Sequence, residues 1–189
     1  GEVRYKDIAE KVYLLTDAKK YMLEVGQTPP KETMKKFKVM GKECGYFVDL
    51  ASGRTIASAG TSNPQIRFGE DLMSRVSYVM MNPDGREALT IAVRGAVEAL
   101  IDRVAGQGGI ARTDILEAVF VGNPIMHHLF LGLDPTELGQ APFALAVSGA
   151  QRLAARDLGL HLHPAARVYI LPCIAGHVGA DAAGVALSE

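Results

Sequence analysis

Runs of short alternating or wholly apolar segments are separated along this chain by stretches of three- and four-residue periodicity, which is the order of an α/β protein. Tyr46-Phe-Val-Asp-Leu50 and Thr55-Ile-Ala-Ser-Ala59 flank the polar turn Ala51-Ser-Gly-Arg54, predicting an antiparallel hairpin. Asn63-Pro64 ends the second strand, since proline biases the residue before it toward extended geometry. A helix is expected over about 69–81, stopping before Asn82-Pro83-Asp84-Gly85. A longer one is expected over about 85–106, where Leu89, Val93, Ala96, Val97, Leu100, Ile101 and Val104 form one buried stripe. Gly106, Gly108 and Gly109 close it.

The second half reads as strand, helix, strand, helix. Thr113 or Asp114 caps a short helical turn before Ala118-Val-Phe-Val121, an apolar run typical of a buried parallel strand. Gly122-Asn123-Pro124 breaks it, and Ile125–Leu131 is predicted helical with Pro124 in its first turn. Residues 148–158 are expected to form another helix, stopped by Gly159. Val168-Tyr-Ile-Leu171 is a second buried strand, and a Gly/Ala-rich helix is expected over about 178–188. The two apolar runs are predicted to be neighbouring parallel strands joined by a helical crossover. Residues 1–45 differ: they are Lys-rich, broken by Gly26 and Thr28-Pro29-Pro30, with a short helix expected over 31–38. They are read as a linker or the remnant of a preceding subdomain.

Composition narrows the function classes. The 189 residues suit one domain with a core of its own, and 48% are hydrophobic. With 20 basic and 21 acidic residues the net charge is -1, which gives no general electrostatic reason to bind nucleic acid. No apolar run approaches the roughly 20 residues that span a bilayer. The charged start, Gly1–Asp7, lacks a signal-peptide core. Neither nucleic acid nor membrane is an expected partner, and the cytoplasm is the expected compartment. The two cysteines, Cys44 and Cys173, cannot ligate an iron–sulfur cluster, which normally takes four.

Three segments carry candidate chemistry. In Val119-Phe-Val-Gly-Asn-Pro-Ile-Met-His-His128, a buried strand runs into Gly122-Asn123 and then a helix. Open α/β sheets place ligands at such carboxyl ends. Gly122 permits close backbone approach, and Asn123 offers a donor and acceptors, although it equally fits a helix N-cap. His127 and His128 point about 100° apart on a helix and cannot converge on one metal. One packed and one exposed histidine, and no metal, are expected. In Leu171-Pro-Cys-Ile-Ala-Gly-His-Val-Gly-Ala-Asp181, Gly176 and Gly179 lie in a turn whose backbone N–H groups can face phosphate. Asp181 would orient a water or hold Mg²⁺ through water, or simply favour the helix dipole. In Asn63-Pro-Gln-Ile-Arg-Phe-Gly-Glu-Asp-Leu-Met-Ser-Arg75, polar groups of Asn63, Gln65, Asp71 and Arg75 gather at a loop–helix junction. Asp71 and Arg75 are spaced to pair on one helix face. Neither GxxxxGK[ST] nor GxGxxG occurs in the chain.

Together these segments resemble one family. Asn63-Pro-Gln…Gly69-Glu-Asp71…Ser74-Arg75, then Gly122-Asn123…Met126-His-His-Leu…Gly132-Leu-Asp-Pro135…Ala141-Pro-Phe143, then Leu171-Pro172…Ala175-Gly176…Val178-Gly-Ala-Asp181 follow in the order of the iron–sulfur, actin-like ATPase proteins that reductively activate corrinoid-dependent methyltransferase systems. The similarity covers about 46–189. It implies the first part of an actin-like ATPase domain, a ribonuclease-H-like α/β lobe of the actin/sugar kinase/heat-shock ATPase (ASKHA) superfamily. In such proteins ATP and Mg²⁺ bind between two lobes, a [2Fe-2S] domain at the N-terminus supplies an electron, and the cobalt of a partner corrinoid protein goes from Co(II) to Co(I). A homodimer is compatible with this. The resemblance makes Asp181 the catalytic candidate and Asn63, Asp71, Gly122, Asn123, Gly176 and Gly179 the nucleotide-contact candidates.

The departures are specific. The family's first phosphate strand ends Asp-Ile-Gly-Thr-Thr-Thr before the hairpin, and here Val39-Met-Gly-Lys-Glu-Cys-Gly45 is expected in that place. The second phosphate loop, Asp-Ile-Gly-Thr-Asn-Gly-Glu, would follow Glu189. The cluster cysteines are also absent. The chain is thus expected to be a fragment, neither a competent ATPase nor an electron carrier by itself. Two other readings compete: a nucleotide-incompetent module that docks a partner protein, and a lobe of a small-molecule kinase of the same superfamily.

Overall fold

The computed structural model describes residues 13–15, 42–49, 54–182 and 184. The helix expected over 31–38, the turn residues 51–53 and the end of the final helix fall outside them. Among the described residues, six strands form one sheet: β1 (Tyr13–Leu15), β2 (Lys42–Val48), β3 (Thr55–Ser62), β4 (Glu117–Val121), β5 (Gln151–Ala154) and β6 (Arg167–Ile170), in the order β3-β2-β1-β4-β6-β5. β2 and β3 are the antiparallel hairpin expected from the sequence, in register Phe47↔Ala57 and closed by the Asp49 amide on the Arg54 carbonyl at 3.0 Å. β4 and β6 are parallel neighbours, Ala118 beside Val168 and Phe120 beside Ile170. That too was expected from two apolar runs that must be buried on both faces.

Two segments depart from expectation. The strand between the hairpin and β4 is Tyr13–Leu15, antiparallel to β2 and parallel to β4, with Leu15 opposite Val121. Lys42–Gly45 therefore belongs to the hairpin itself and does not supply the strand that precedes it. Residues 148–158 are not a helix. Gln151–Ala154 is an edge strand antiparallel to β6, and Ala155–Leu158 is a single 3-10 turn ended at Gly159, which has φ 72°. The Ala- and Arg-rich composition favours helix locally. The exposed edge of β6, and the fit of Leu153 and Leu158 against the core, decide the matter instead.

Among the described residues, three helices cover one face of the sheet: α1 (Leu72–Met81), α2 (Gly85–Gly108) and α3 (Pro124–Leu131). The α2 stripe of Leu89, Val93, Val97, Leu100, Ile101 and Val104 packs with Phe47, Ala57, Phe120 and Ile170 from the sheet. Each such side chain contributes about 1.5–3 kcal/mol by leaving water. Arg112 braces the far end of α2 by donating to the Glu98 carboxylate at 2.8 Å and to Asp102. The other face carries Val119, Val121, Tyr169 and Leu171, which pack with Cys173 and Ala180. No helix among the described residues is long and apolar enough to cross a membrane.

Candidate functional site

Because β4 and β6 are parallel neighbours, the segments leaving their carboxyl ends open on the same edge of the sheet. After Val121 the chain turns at Gly122-Asn123 into α3. Asn123 is the N-cap, its Oδ1 accepting from the Met126 amide at 2.9 Å, while Pro124 fills the first helical position. The N-cap role and a place at a ligand-facing edge therefore coexist in one residue.

After Leu171 the chain makes a tight turn in which the Ala175 and Val178 amides and carbonyls bond reciprocally, at 2.9 and 3.0 Å. Helix begins again at Ala180, two residues later than expected. The two segments then meet. The Asp181 amide donates to the Gly122 carbonyl at 3.2 Å. A Cβ on Gly179 would stand 2.7 Å from Asn123 Cα, 2.7 Å from Pro124 Cδ and 2.7 Å from Asp181 Oδ1, so only glycine allows this approach. The structure thus brings Gly122, Asn123, Gly179 and Asp181 together. Asp181 is half-buried in the first helical turn, with Oδ1 accepting the Ala182 amide at 2.9 Å.

Gly176 lies at the outer end of the same turn. A Cβ there would stand 2.1 Å from the Phe143 carbonyl oxygen, so the loop around Phe143 lies directly on it. Phe143 has φ 60°, and its ring sits 4.4 Å from that of His177. His128 fastens the same loop from beneath. Its Nδ1 lies 2.8 Å from the Pro124 carbonyl and its Nε2 accepts the Ala146 amide at 3.0 Å, which fixes Nδ1 as the protonated nitrogen.

Both histidines are buried, which corrects the expectation of one exposed. His127 is 3% and His128 0% exposed. Every residue from Pro124 to Phe130 is buried, because α3 is enclosed on all sides. Both ring nitrogens of His127 lack a hydrogen-bond partner among the described residues. Burial, with a smaller contribution from His128, pushes its pKa down to about 4, so it is neutral at pH 7. Burial also pushes the Cys173 thiol up to about 11, with the Asp181 charge adding to the effect. A protonated thiol is a poor nucleophile and a poor metal ligand. The described residues contain no group of three or more His, Cys, Asp or Glu placed to hold a metal ion.

The third segment joins the first through the core. Asn63 and Gln65 are buried, and Arg75 is 1% exposed. Arg75 donates to the Gly69 carbonyl at 2.9 Å, to Met126 Sδ at 3.0 Å and to Gln65 Oε1 at 3.4 Å. Asn63 Nδ2 reaches the same sulfur at 3.6 Å. Asp71 stands apart from this cluster. It caps α1, accepting the Ser74 amide at 2.8 Å while Ser74 Oγ receives the Asp71 amide at 3.0 Å. Gln65 is among the polar groups expected at this junction, whereas Met126 is invisible as a polar contact in the sequence. An Arg four residues from a capping Asp suggests a surface pair unless the burial of that helix face is known.

Residues 42–189 match the family described as the RACo middle region. The chain belongs to this family. The corrinoid activation enzyme RamQ of Eubacterium limosum is 35% identical to this chain over 143 residues, covering 76% of this chain and 24% of that protein. A solved structure of a reductive activator for corrinoid, iron–sulfur protein matches with TM-score 0.72 at 35% identity, covering 74% of this chain and 22% of that one. The chain spans about a quarter of the length of these relatives.

Proposed function

We propose that this chain forms part of the nucleotide-binding lobe of a corrinoid activator, an ATP-dependent protein that returns the cobalt of a corrinoid protein from Co(II) to Co(I). The observation that carries the reading is the meeting of the two turns at one sheet edge, Asp181 amide on Gly122 carbonyl. The names of the two relatives, a corrinoid activation enzyme and a reductive activator for corrinoid, iron–sulfur protein, support the substrate class. A meander of β3, β2 and β1, extended by β4 and β6 parallel to β1, is compatible with a ribonuclease-H-like, actin-like lobe. Residues 46–189 would be the first part of that domain together with β1 and Lys42–Gly45, which share its sheet.

In this reading the turns at Gly122 and Gly179 let backbone approach the nucleotide closely, and Asn123 fixes the first turn. Asp181 would hold a water or a hydrated Mg²⁺ beside the phosphates, and the cation would supply the positive charge that offsets theirs. Gly176 keeps the second turn against the Phe143 loop, and Asn63 supports the arrangement from behind through Met126. A [2Fe-2S] cluster does not fit these residues. The chain has two cysteines, and the Cys173 thiol is held protonated by burial. Electron supply is therefore assigned to another part of the full-length protein, and the cytoplasm remains the proposed compartment.

The test is Asp181→Asn in the full-length protein. ATP-dependent reduction of the corrinoid protein is expected to fall about tenfold or more, at least ~1.4 kcal/mol on the barrier, with circular dichroism unchanged. Full activity in this variant would reduce Asp181 to a helix-dipole partner. One observation favours a second reading, a nucleotide-incompetent module that docks a partner. The chain leaves β1 as Thr16-Asp17-Ala18-Lys19, without the Asp-Ile-Gly-Thr-Thr-Thr pattern. Calorimetry with Mg-ATP separates the two, since only the first predicts binding by the full-length protein.

A further inference from the structure

We propose that Arg75 is a positioning residue for the Gly122-Asn123 turn, acting through the thioether of Met126; its effect on nucleotide binding rests on the reading above. A guanidinium that is 1% exposed is costly to bury, and a leucine would fill the same space without that cost. What the planar fork adds is direction. One end is fixed by Nε on the Gly69 carbonyl at 2.9 Å, and Nη1 reaches Met126 Sδ at 3.0 Å.

A thioether is a weak acceptor on a flexible stem, so by itself it would not set the position of a helix. Here it is gripped at both ends. Asn63 Nδ2 shares the sulfur at 3.6 Å, and the Met126 amide is held by Asn123 Oδ1 at 2.9 Å. Asn63 is itself pinned, its Oδ1 accepting the Gln65 amide at 2.8 Å. Gln65 is tied to α2 through the Leu89 carbonyl at 2.8 Å. The line Gly69–Arg75–Met126–Asn123 thus connects the start of α1 to the turn at the end of β4. The buried polar residues of the Asn63–Arg75 segment are placed by the turn they steady and need not touch a ligand.

Met126→Leu in the full-length protein is the cleanest test, because it conserves volume and removes the acceptor. Hydrogen exchange at the Met126 and His127 amides should quicken about tenfold, while Val93–Leu100 in α2 keeps its protection. The KM for Mg-ATP should rise about fivefold with kcat within twofold. Arg75→Met, which also releases the Gly69 carbonyl and Gln65, should have at least the same local effect, and Met126→Leu should add little on top of it, because the contact with the sulfur is already gone. Unchanged exchange at residues 126 and 127, acceleration spread equally through α2, or additive effects in the double variant would each overturn the proposal. Should Arg75→Met fail to fold, the exchange pattern of Met126→Leu decides alone. Local acceleration in a protein whose parent binds no Mg-ATP would uphold the positioning role and remove the nucleotide reading.

Discussion

The two turns at the shared sheet edge are built in opposite ways. The turn after β4 is held by side chains: Asn123 caps α3, Met126 is gripped from the core, and His128 bonds both the Pro124 carbonyl and the Ala146 amide. The segment after β6 is held by backbone, with Ala175 and Val178 bonding reciprocally and Ile174 63% exposed. A turn fixed by buried polar side chains is sensitive to their protonation and identity. A turn fixed by backbone is sensitive to steric intrusion and leaves its carboxylate, Asp181, half open for chemistry.

Acid should break the first turn by the largest margin. His127 has its pKa lowered from 6.5 to about 4 by burial, and His128 is lowered for the same reason. Above pH 6.5 neither folded nor unfolded protein carries the His127 proton, and its full contribution is present. As pH falls from 6.5 to 4 the unfolded chain takes up a proton that the folded chain refuses, so stability drains through that window. About 3 kcal/mol is expected to be lost between pH 7 and pH 4 from His127. Urea unfolding at several pH values measures it, and His127→Leu should flatten the slope across the window. A profile equally steep in the variant would assign the loss to other groups.

Gly179→Ala attacks the other turn. Its new methyl group meets Asn123 Cα and Pro124 Cδ at 2.7 Å, and the first of these is backbone, which cannot swing aside. Overpacking of this kind costs about 2 kcal/mol. It should also push the two turns apart, so Mg-ATP binding by the full-length protein should weaken together with Tm. An alanine variant with parental stability would mean that the two turns are not locked together.

The parts legible in the sequence are those where local pattern and burial agree. The hairpin, the α2 stripe, the two parallel apolar strands and the capping position of Asn123 each follow from spacing or turn chemistry within a few residues. The segment 151–158 was not legible, because strand Gln151–Ala154 exists only by pairing with β6, and its own residues favour helix. Tyr13–Leu15 is illegible for a related reason. A three-residue strand has no period to detect, and only its register with Val119–Val121 gives it a place. The histidine pair misled because helix geometry separates two neighbours into different faces, which says nothing when every face is buried.

Asn123→Ala removes a side-chain cap from the first turn, and a loss of about 1 kcal/mol is expected. The Met126 amide loses its acceptor, so the loosening should be centred on the first turn of α3. Thermal unfolding gives the size. Hydrogen exchange at Met126 gives the location, and unchanged exchange there would mean that backbone or water replaces the cap.

The smallest effect is expected outside both turns, and it serves as the control for them. Asp71 is exposed at the start of α1, where its carboxylate accepts the Ser74 amide at 2.8 Å and also receives the Ser74 hydroxyl at 2.8 Å. These bonds hold its pKa below the ordinary carboxylate value, the amide bond contributing most. Its capping contribution is therefore present above the ordinary carboxylate value and disappears as pH falls through the lowered one, below the window in which His127 acts. Asp71→Ala at neutral pH removes the cap and nothing at the sheet edge, so Tm should fall by roughly 2 °C or less. Mg-ATP affinity of the full-length protein should stay within about twofold. Asp71→Asn, which keeps an acceptor oxygen, should recover most of the lost stability. A large loss of Mg-ATP affinity in Asp71→Ala with Tm unmoved would instead place Asp71 at the nucleotide, and would extend the site from the two turns to the start of α1.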